Sequence, residues 1–199
     1  GFELAAPFVT GPIEEVPPNE WRRQFETNVL GLVNVTRAVL PQMRAAGEGR
    51  IVNVGSVAGR IVAPFFGAYA ASKHAVEGIT DALRRELKHH GIKVSLIRPG
   101  FINTEFGHQE QEALEDYMQD GDPYARQVAI FKAWHAKGHP NGKPPLIVAE
   151  KIHHALTATH PHSRYTAPSS YLATLALRNL APSAITDRVF ERVIGFDKL

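Results

Sequence analysis

Cysteine is absent from the 199-residue chain. Disulfide frameworks and cysteine-ligated zinc are therefore excluded, and with nothing calling for an oxidising compartment the expected location is the cytoplasm. No stretch reaches the roughly 18 apolar residues of a bilayer-spanning helix. The amino end, Gly1 to Pro7, has neither the basic n-region nor the apolar h-region of a signal peptide. Charge of one sign is lacking too: 22 Lys plus Arg stand against 20 Asp plus Glu, and the basic residues are scattered in pairs. A polyanion-binding surface gains little support, so no nucleic-acid partner is expected. With 16 glycines and 14 prolines, the chain is too poor in both for a low-complexity or collagen-like sequence. What is present is 44% hydrophobic and 21% charged, the composition of a globular protein. The length suits one core that removes ~70% of the unfolded surface from water.

Along the chain, residues 1–17 read as a loop punctuated by Pro7, Gly11, Pro12 and Pro17. A helix is predicted from Pro18, with Trp21, Phe25, Val29, Leu32, Val33 and Leu40 at helical spacing, until Gly47-Glu48-Gly49 ends it. Residues 50–55 form a short β-branched run that suits a buried strand. A second long helix is predicted over about 65–90, stopped by Gly91, followed by a strand over 92–98 that Pro99-Gly100 closes. Residues 105–145 read as polar and irregular, the place for a mobile lid or substrate loop. A helix at about 148–159, a short strand at 164–167 and helices at about 170–179 and 184–194 follow. Strands alternating with long helices imply an α/β fold whose parallel sheet is covered on both faces.

The most informative group of residues is Tyr69-Ala70-Ala71-Ser72-Lys73 inside the second helix. A spacing of i, i+4 stacks the phenol and the ammonium on one face. A phenol with a free pKa of about 10 is a poor acid or base at neutral pH, and a fixed cation beside it favours the phenolate. Such a pair is a candidate proton donor and acceptor, although the same spacing also arises where both groups only pack and solvate. Ser56 directly follows the strand at 50–55. In an open parallel sheet, ligands bind outside the carboxyl ends of the strands, where a hydroxyl can hold a carbonyl oxygen beside the phenol. The next strand ends in Pro99-Gly100-Phe101-Ile102-Asn103-Thr104, whose backbone and threonine hydroxyl could meet a cofactor.

In these residues the sequence resembles the short-chain dehydrogenase/reductase family. Members carry a serine, a tyrosine and a lysine as Ser56, Tyr69 and Lys73 stand here, followed by a PGxxxT segment. The stretch Phe25-Glu26-Thr27-Asn28-Val29-Leu30-Gly31 looks like the segment bearing the family's fourth catalytic residue, which is then Asn28. The match covers about residues 20–105. It implies hydride transfer to or from NAD or NADP, with Tyr69 exchanging the proton on the substrate oxygen and Lys73 lowering the phenol pKa and binding the nicotinamide ribose. It further implies that Ser56 orients the substrate oxygen, that Asn28 holds a water linking Lys73 to solvent, and that Pro99, Gly100, Ile102 and Thr104 line the nicotinamide side. The family's glycine-rich turn and first two strands have no counterpart, and Gly1 looks like the last residue of its Asn-Asn-Ala-Gly segment, itself cofactor-binding. The resemblance thus implies the carboxyl-terminal part of a Rossmann-type doubly wound sheet, about three strands, in one incomplete domain over 1–199. A chain represented without its amino-terminal half is expected to be inactive alone.

The tail, Ile152-His153-His154-Ala155-Leu156-Thr157 and then His160-Pro161-His162-Ser163-Arg164-Tyr165, looks like the retinol- and hydroxysteroid-dehydrogenase branch. A lipophilic secondary alcohol or ketone is the implied substrate, with 105–145 as its lid and 168–199 as a helical cap. Ordinary core packing explains the apolar tail helices equally well. The histidines have no zinc-motif spacing, and Gly138 and Pro140 argue against a helix around His135 and His139, so no metal is expected and solvent-exposed histidine is the default. A homodimer or homotetramer is expected through the long helices. The competing function is a non-catalytic relative that acts as a helix-mediated dimerisation module. Nucleotide-sugar epimerases and dehydratases also use a YxxxK pair, but the tail holds no obvious second domain for them.

Overall fold

Ile51, Val52 and Val54 in one segment and Ile92, Val94 and Ile97 in another are β-branched residues that pack well on a pleated surface. In the computed structural model, which describes residues 8–104, 114–119, 121–138 and 142–199, they pair. Strands β1 (Gly49–Val54), β2 (Ile92–Pro99) and β3 (Arg164–Ala167) form one parallel sheet in the order β1-β2-β3. β1 lies beside β2 from Gly49↔Ile92 to Val54↔Ile97, and β3 meets the other edge from Leu96↔Arg164 to Pro99↔Ala167. Among the described residues the outer edge of β1 has no strand partner.

Alternation along the strands decides the faces. Ile51, Ile92 and Val94 pack against Leu40 and Met43 of α2 (Leu32–Ala46) and Leu83 of α3 (Gly67–Glu86). Val52, Ile97 and Tyr165 pack on the opposite side against Val148, Ile152 and Ala155 of the helix Leu146–Thr157. Covered on both faces and paired on both edges, β2 buries Leu96 and Ile97 to 1% and 0% exposure. The expected α/β fold with a parallel sheet and long flanking helices is the one observed.

Three local departures from the sequence reading matter for the site. The helix predicted from Pro18 is divided: α1 (Pro18–Phe25) passes through a π-helical turn, Glu26–Gly31, before α2 begins. The wider turn carries Asn28, which is buried, and π-turns inside α-helices recur at functional sites. Secondly, α3 starts at Gly67 rather than 65, because Phe65 adopts φ +64° and breaks the helical path. That strained backbone is held by edge-on ring contacts to Phe131 and Tyr124 and by Gly11 N–H donating to the Phe65 carbonyl at 2.8 Å. At the sheet's other end, Gly91 has φ +71° and lies so near Gly47 that a Cβ would sit 2.0 Å from its carbonyl oxygen, so only glycine fits there.

The third departure is a correction. Residues 105–145 are not irregular throughout, since helix α4 (Ala125–Gly138) runs through them. Ala125, Gln127, Ala129, Lys132, Ala133 and Ala136 are strong helix formers, and Val128, Phe131 and His135 fall on one buried stripe. Gly138, which argued against a helix, is its last residue, and Pro140 lies outside the described residues. His135 is accordingly buried at 1% exposure rather than solvent-exposed. Residues 105–113, 120 and 139–141 of the expected lid lie outside the described residues, as does Gly1. Helices α5 (Leu146–Thr157), α6 (Tyr171–Leu180) and α7 (Ser183–Ile194) complete the chain. Phe131, fully buried with Phe66, Leu114, Val128 and Ile194, is the test of this correction. Phe131→Ala is expected to lower stability by about 3–5 kcal/mol in urea unfolding, whereas in an irregular surface segment it would stay within ~0.5 kcal/mol.

Candidate active site

The buried residues of α3 are Ala68, Tyr69, Ala70, Ser72, Val76, Glu77 and Thr80, so one stripe of the helix is turned to the protein. Tyr69 and Lys73 lie on it a turn apart, with Lys73 Nζ 5.6 Å from the centre of the Tyr69 ring. That nitrogen donates to the carbonyl of Val54, the last residue of β1, at 3.2 Å. Burial pushes the Lys73 ammonium down to about 8 from the ordinary 10.5. The Tyr69 ring also packs on Phe8, with centroids 4.3 Å apart.

Ser56 follows β1 and caps a single 3₁₀ turn, its Oγ accepting from Ala58 N–H at 3.1 Å. The same oxygen lies 3.5 Å from the carbonyl of Pro99 at the end of β2, a long hydrogen bond. Asn28 stands behind the helix. Its Nδ2 donates to Ser72 Oγ at 3.0 Å, and Ser72 in turn donates to the Tyr69 carbonyl at 2.7 Å. The π-turn is thereby fastened to α3 at the position of Tyr69.

A cavity of about 890 Å³ opens at the carboxyl ends of β1 and β2. Ser56, Tyr69, Lys73, Pro99, Gly100, Ile102 and Thr104 all line it, so the structure brings these predicted residues to one space; Asn28 is not on its wall and bonds Ser72, which holds the Tyr69 carbonyl. Of the other walls, Trp134, Tyr171, Leu177 and Val189 fall in the expected lid and cap segments, whereas sequence reasoning missed Phe66 and His135. His135 stacks on Phe131 and meets Phe66 and Phe101 edge-on. The helical stripe of α4 was the available signal for it. Tyr171 covers the turn after β2: a Cβ on Gly100 would lie 2.1 Å from its ring, and its hydroxyl accepts from Phe101 N–H at 3.4 Å.

Against known proteins, the short chain dehydrogenase family matches this sequence over residues 5–115. The chain belongs to that family. It is 35% identical over 181 residues to the uncharacterized oxidoreductase YbbO of Escherichia coli, covering 91% of this chain and 62% of YbbO. Retinol dehydrogenase 16 of Mus musculus is 37% identical over 186 residues, which cover 79% of this chain and 56% of that protein. The likeness agrees with the branch that the tail suggested. A solved short-chain dehydrogenase/reductase of Burkholderia phymatum, in complex with NAD, superposes with a TM-score of 0.71 at 29% identity, over 88% of this chain and 63% of that one. The chain thus spans about three fifths of the length of the relatives it matches. Among its described residues no helix is long and apolar enough to cross a membrane.

Lys73 gives this short-chain dehydrogenase chain a pH signature. With the folded-state pKa below the unfolded one, the unfolded chain binds more protons between about 8 and 10.5, so this group makes stability rise with pH across that window. Lys73→Met is expected to flatten the rise, read as the urea midpoint at pH 8 and pH 10. An unchanged slope would place the ammonium in bulk-like solvent.

Proposed function

We propose that the protein is an oxidoreductase transferring a hydride between NAD or NADP and a lipophilic secondary alcohol or ketone, with Asn28, Ser56, Tyr69 and Lys73 as its catalytic group. The observation that carries this reading is the shared cavity, in which Ser56, Tyr69 and Lys73 face one space otherwise walled by side chains such as Phe66, Ile152, Leu177 and Val193. An apolar substrate gains about 25 cal/mol for each Å² it buries on such walls. A sugar or small acid would leave most of its hydrogen bonds unmade there.

The residues present fit the nicotinamide end of a dinucleotide: Lys73 offers an ammonium, Thr104 a hydroxyl, and Gly100 to Ile102 a stretch of backbone, all on the same cavity. Lys73 and Tyr69 would hold the ribose side, and Pro99, Gly100, Ile102 and Thr104 the ring side. Bound there, the nicotinamide supplies or accepts the hydride. Tyr69 holds at its phenolic oxygen the proton that the substrate oxygen gives up or takes. Lys73, with its pKa at about 8, is still mostly charged at pH 7 and favours the phenolate beside it. Ser56 Oγ orients the substrate oxygen and stabilises the charge that grows on it. Asn28 holds a water between Lys73 and solvent.

In this reading 1–199 is one NAD(P)-binding Rossmann-like domain of a cytoplasmic homodimer or homotetramer. Exposed Leu30 and Val35 on the helices before β1, at 46% and 67%, support a subunit contact there. Residues 105–145 form the substrate lid and 168–199 its cap, which the cavity contacts of Trp134, Tyr171 and Val189 support. In the purified natural protein, Tyr69→Phe is expected to lower turnover by about 10²–10⁴-fold while leaving NAD(P)H binding, followed by its fluorescence, unchanged. Undiminished turnover in that variant would reject the assignment.

A further inference from the structure

Glu77 is one helical turn beyond Lys73 and two beyond Tyr69, on the same buried stripe of α3. Its carboxylate is met by a fork. Arg98 Nε donates to Oε1 at 2.5 Å and Arg98 Nη2 to Oε2 at 2.6 Å. Both side chains are inside the protein, at 13% exposure for Arg98 and 8% for Glu77. Arg164 of β3 adds a second cation, with Nε 3.6 Å from Glu77 Oε2, and reaches Asp81 a turn further along α3 at 2.6 Å.

Each neighbour of this pair carries a part of the site. Arg98 immediately precedes Pro99 and Gly100 at the mouth of the cavity. The Ser56 turn closes on the same spot: Gly59 N–H donates to the Ser56 carbonyl at 3.0 Å, and a Cβ on Gly59 would stand 2.9 Å from the Lys73 carbonyl oxygen and 3.3 Å from Glu77 Cγ. One buried carboxylate therefore joins the helix bearing Tyr69 and Lys73, the turn bearing Ser56, and the strand end bearing Pro99 and Gly100. A bidentate guanidinium–carboxylate pair fixes both distance and angle, which a lysine or a single hydrogen bond does not.

We propose that the Glu77–Arg98 pair is a positioning device that sets the register of Tyr69 and Lys73 against Ser56 and the Pro99-Gly100 turn. This rests on the hydride-transfer reading above. Neither residue lines the cavity, so each acts through the groups it holds.

The test uses Arg98→Lys, which keeps the charge and loses the fork, and the double variant Glu77→Gln with Arg98→Met, which leaves no buried charge unpaired. Both are made in the purified natural protein. Each is expected to melt cooperatively and to lose at least about tenfold in kcat, with KM for the alcohol and for NAD(P) changed by less than about threefold, as for an interaction realised in the transition state. Wild-type kcat in a folded variant overturns the proposal, as does failure of both variants to fold, which would make the pair a core element alone. A second readout does not need turnover. With lysines ¹³C-dimethylated and Lys73 assigned by its loss in Lys73→Arg, its titration is expected to move upward from about 8 toward 10.5 in the double variant as the helix loosens from β1. An unmoved titration overturns the proposal. If the wild-type protein shows no turnover, the hydride-transfer reading fails by itself, and this titration still decides whether the pair holds Lys73 in place.

Discussion

A strand paired on both edges and covered on both faces leaves one place where its backbone stays open to a ligand, the carboxyl end. β2 is in that position, with β1 and β3 beside it and helices over both faces. Its last residues, Arg98 and Pro99, emerge beside the end of β1, and the chain after each strand must turn away in the same small volume. The Ser56 turn and the Pro99-Gly100 turn therefore become neighbours as a consequence of parallel pairing. Nothing in their sequence separation brings them together.

Helix α3 then has two tasks for one stripe. Towards its carboxyl end the stripe packs through Val76 and Thr80, where Thr80 Oγ1 accepts from Asn53 Nδ2 of β1 at 3.0 Å. Towards its amino end the same stripe faces the cavity with Tyr69 and Lys73. Lys73 sits at the changeover, its stem among packed groups and its nitrogen on the Val54 carbonyl. Desolvation there disfavours the charged form, which is why its pKa falls, and the carbonyl acceptor keeps the ammonium from being left without a partner. The conflict between packing a helix and exposing a cation is met by a single hydrogen bond.

The sequence disclosed those parts of the site that are local. Tyr69 and Lys73 are visible because helical spacing alone makes them neighbours, and Ser56 and Pro99 because each directly follows a β-branched run. What it hid depends on contacts between distant segments. Asn28 was placed on a helix, but the π-turn around it owes its register to Ser72, 44 residues away. Glu77 and Arg98 are 21 residues apart, on a helix and a strand whose periods do not predict a meeting. Helix α4 is a different kind of omission: its stripe of Val128, Phe131 and His135 is legible, but Gly138, which ends the helix, weighs against one when read from sequence alone.

Chemistry and cavity shape are drawn from different stretches of chain. The polar groups come from β1, α3 and β2, where short hydrogen bonds and the Glu77–Arg98 fork leave little freedom. Many of the apolar walls come from α4 to α7, through residues such as Trp134, Ile152, Leu177 and Val189. These are joined to the rest by side-chain packing, which tolerates exchange of one apolar group for another better than a buried ion pair tolerates loss of a partner. The carboxyl-terminal helices can thus change the outline of the cavity without disturbing the geometry of Ser56, Tyr69 and Lys73. A fold arranged in this way keeps Ser56, Tyr69 and Lys73 in place while the apolar lining opposite them is free to change.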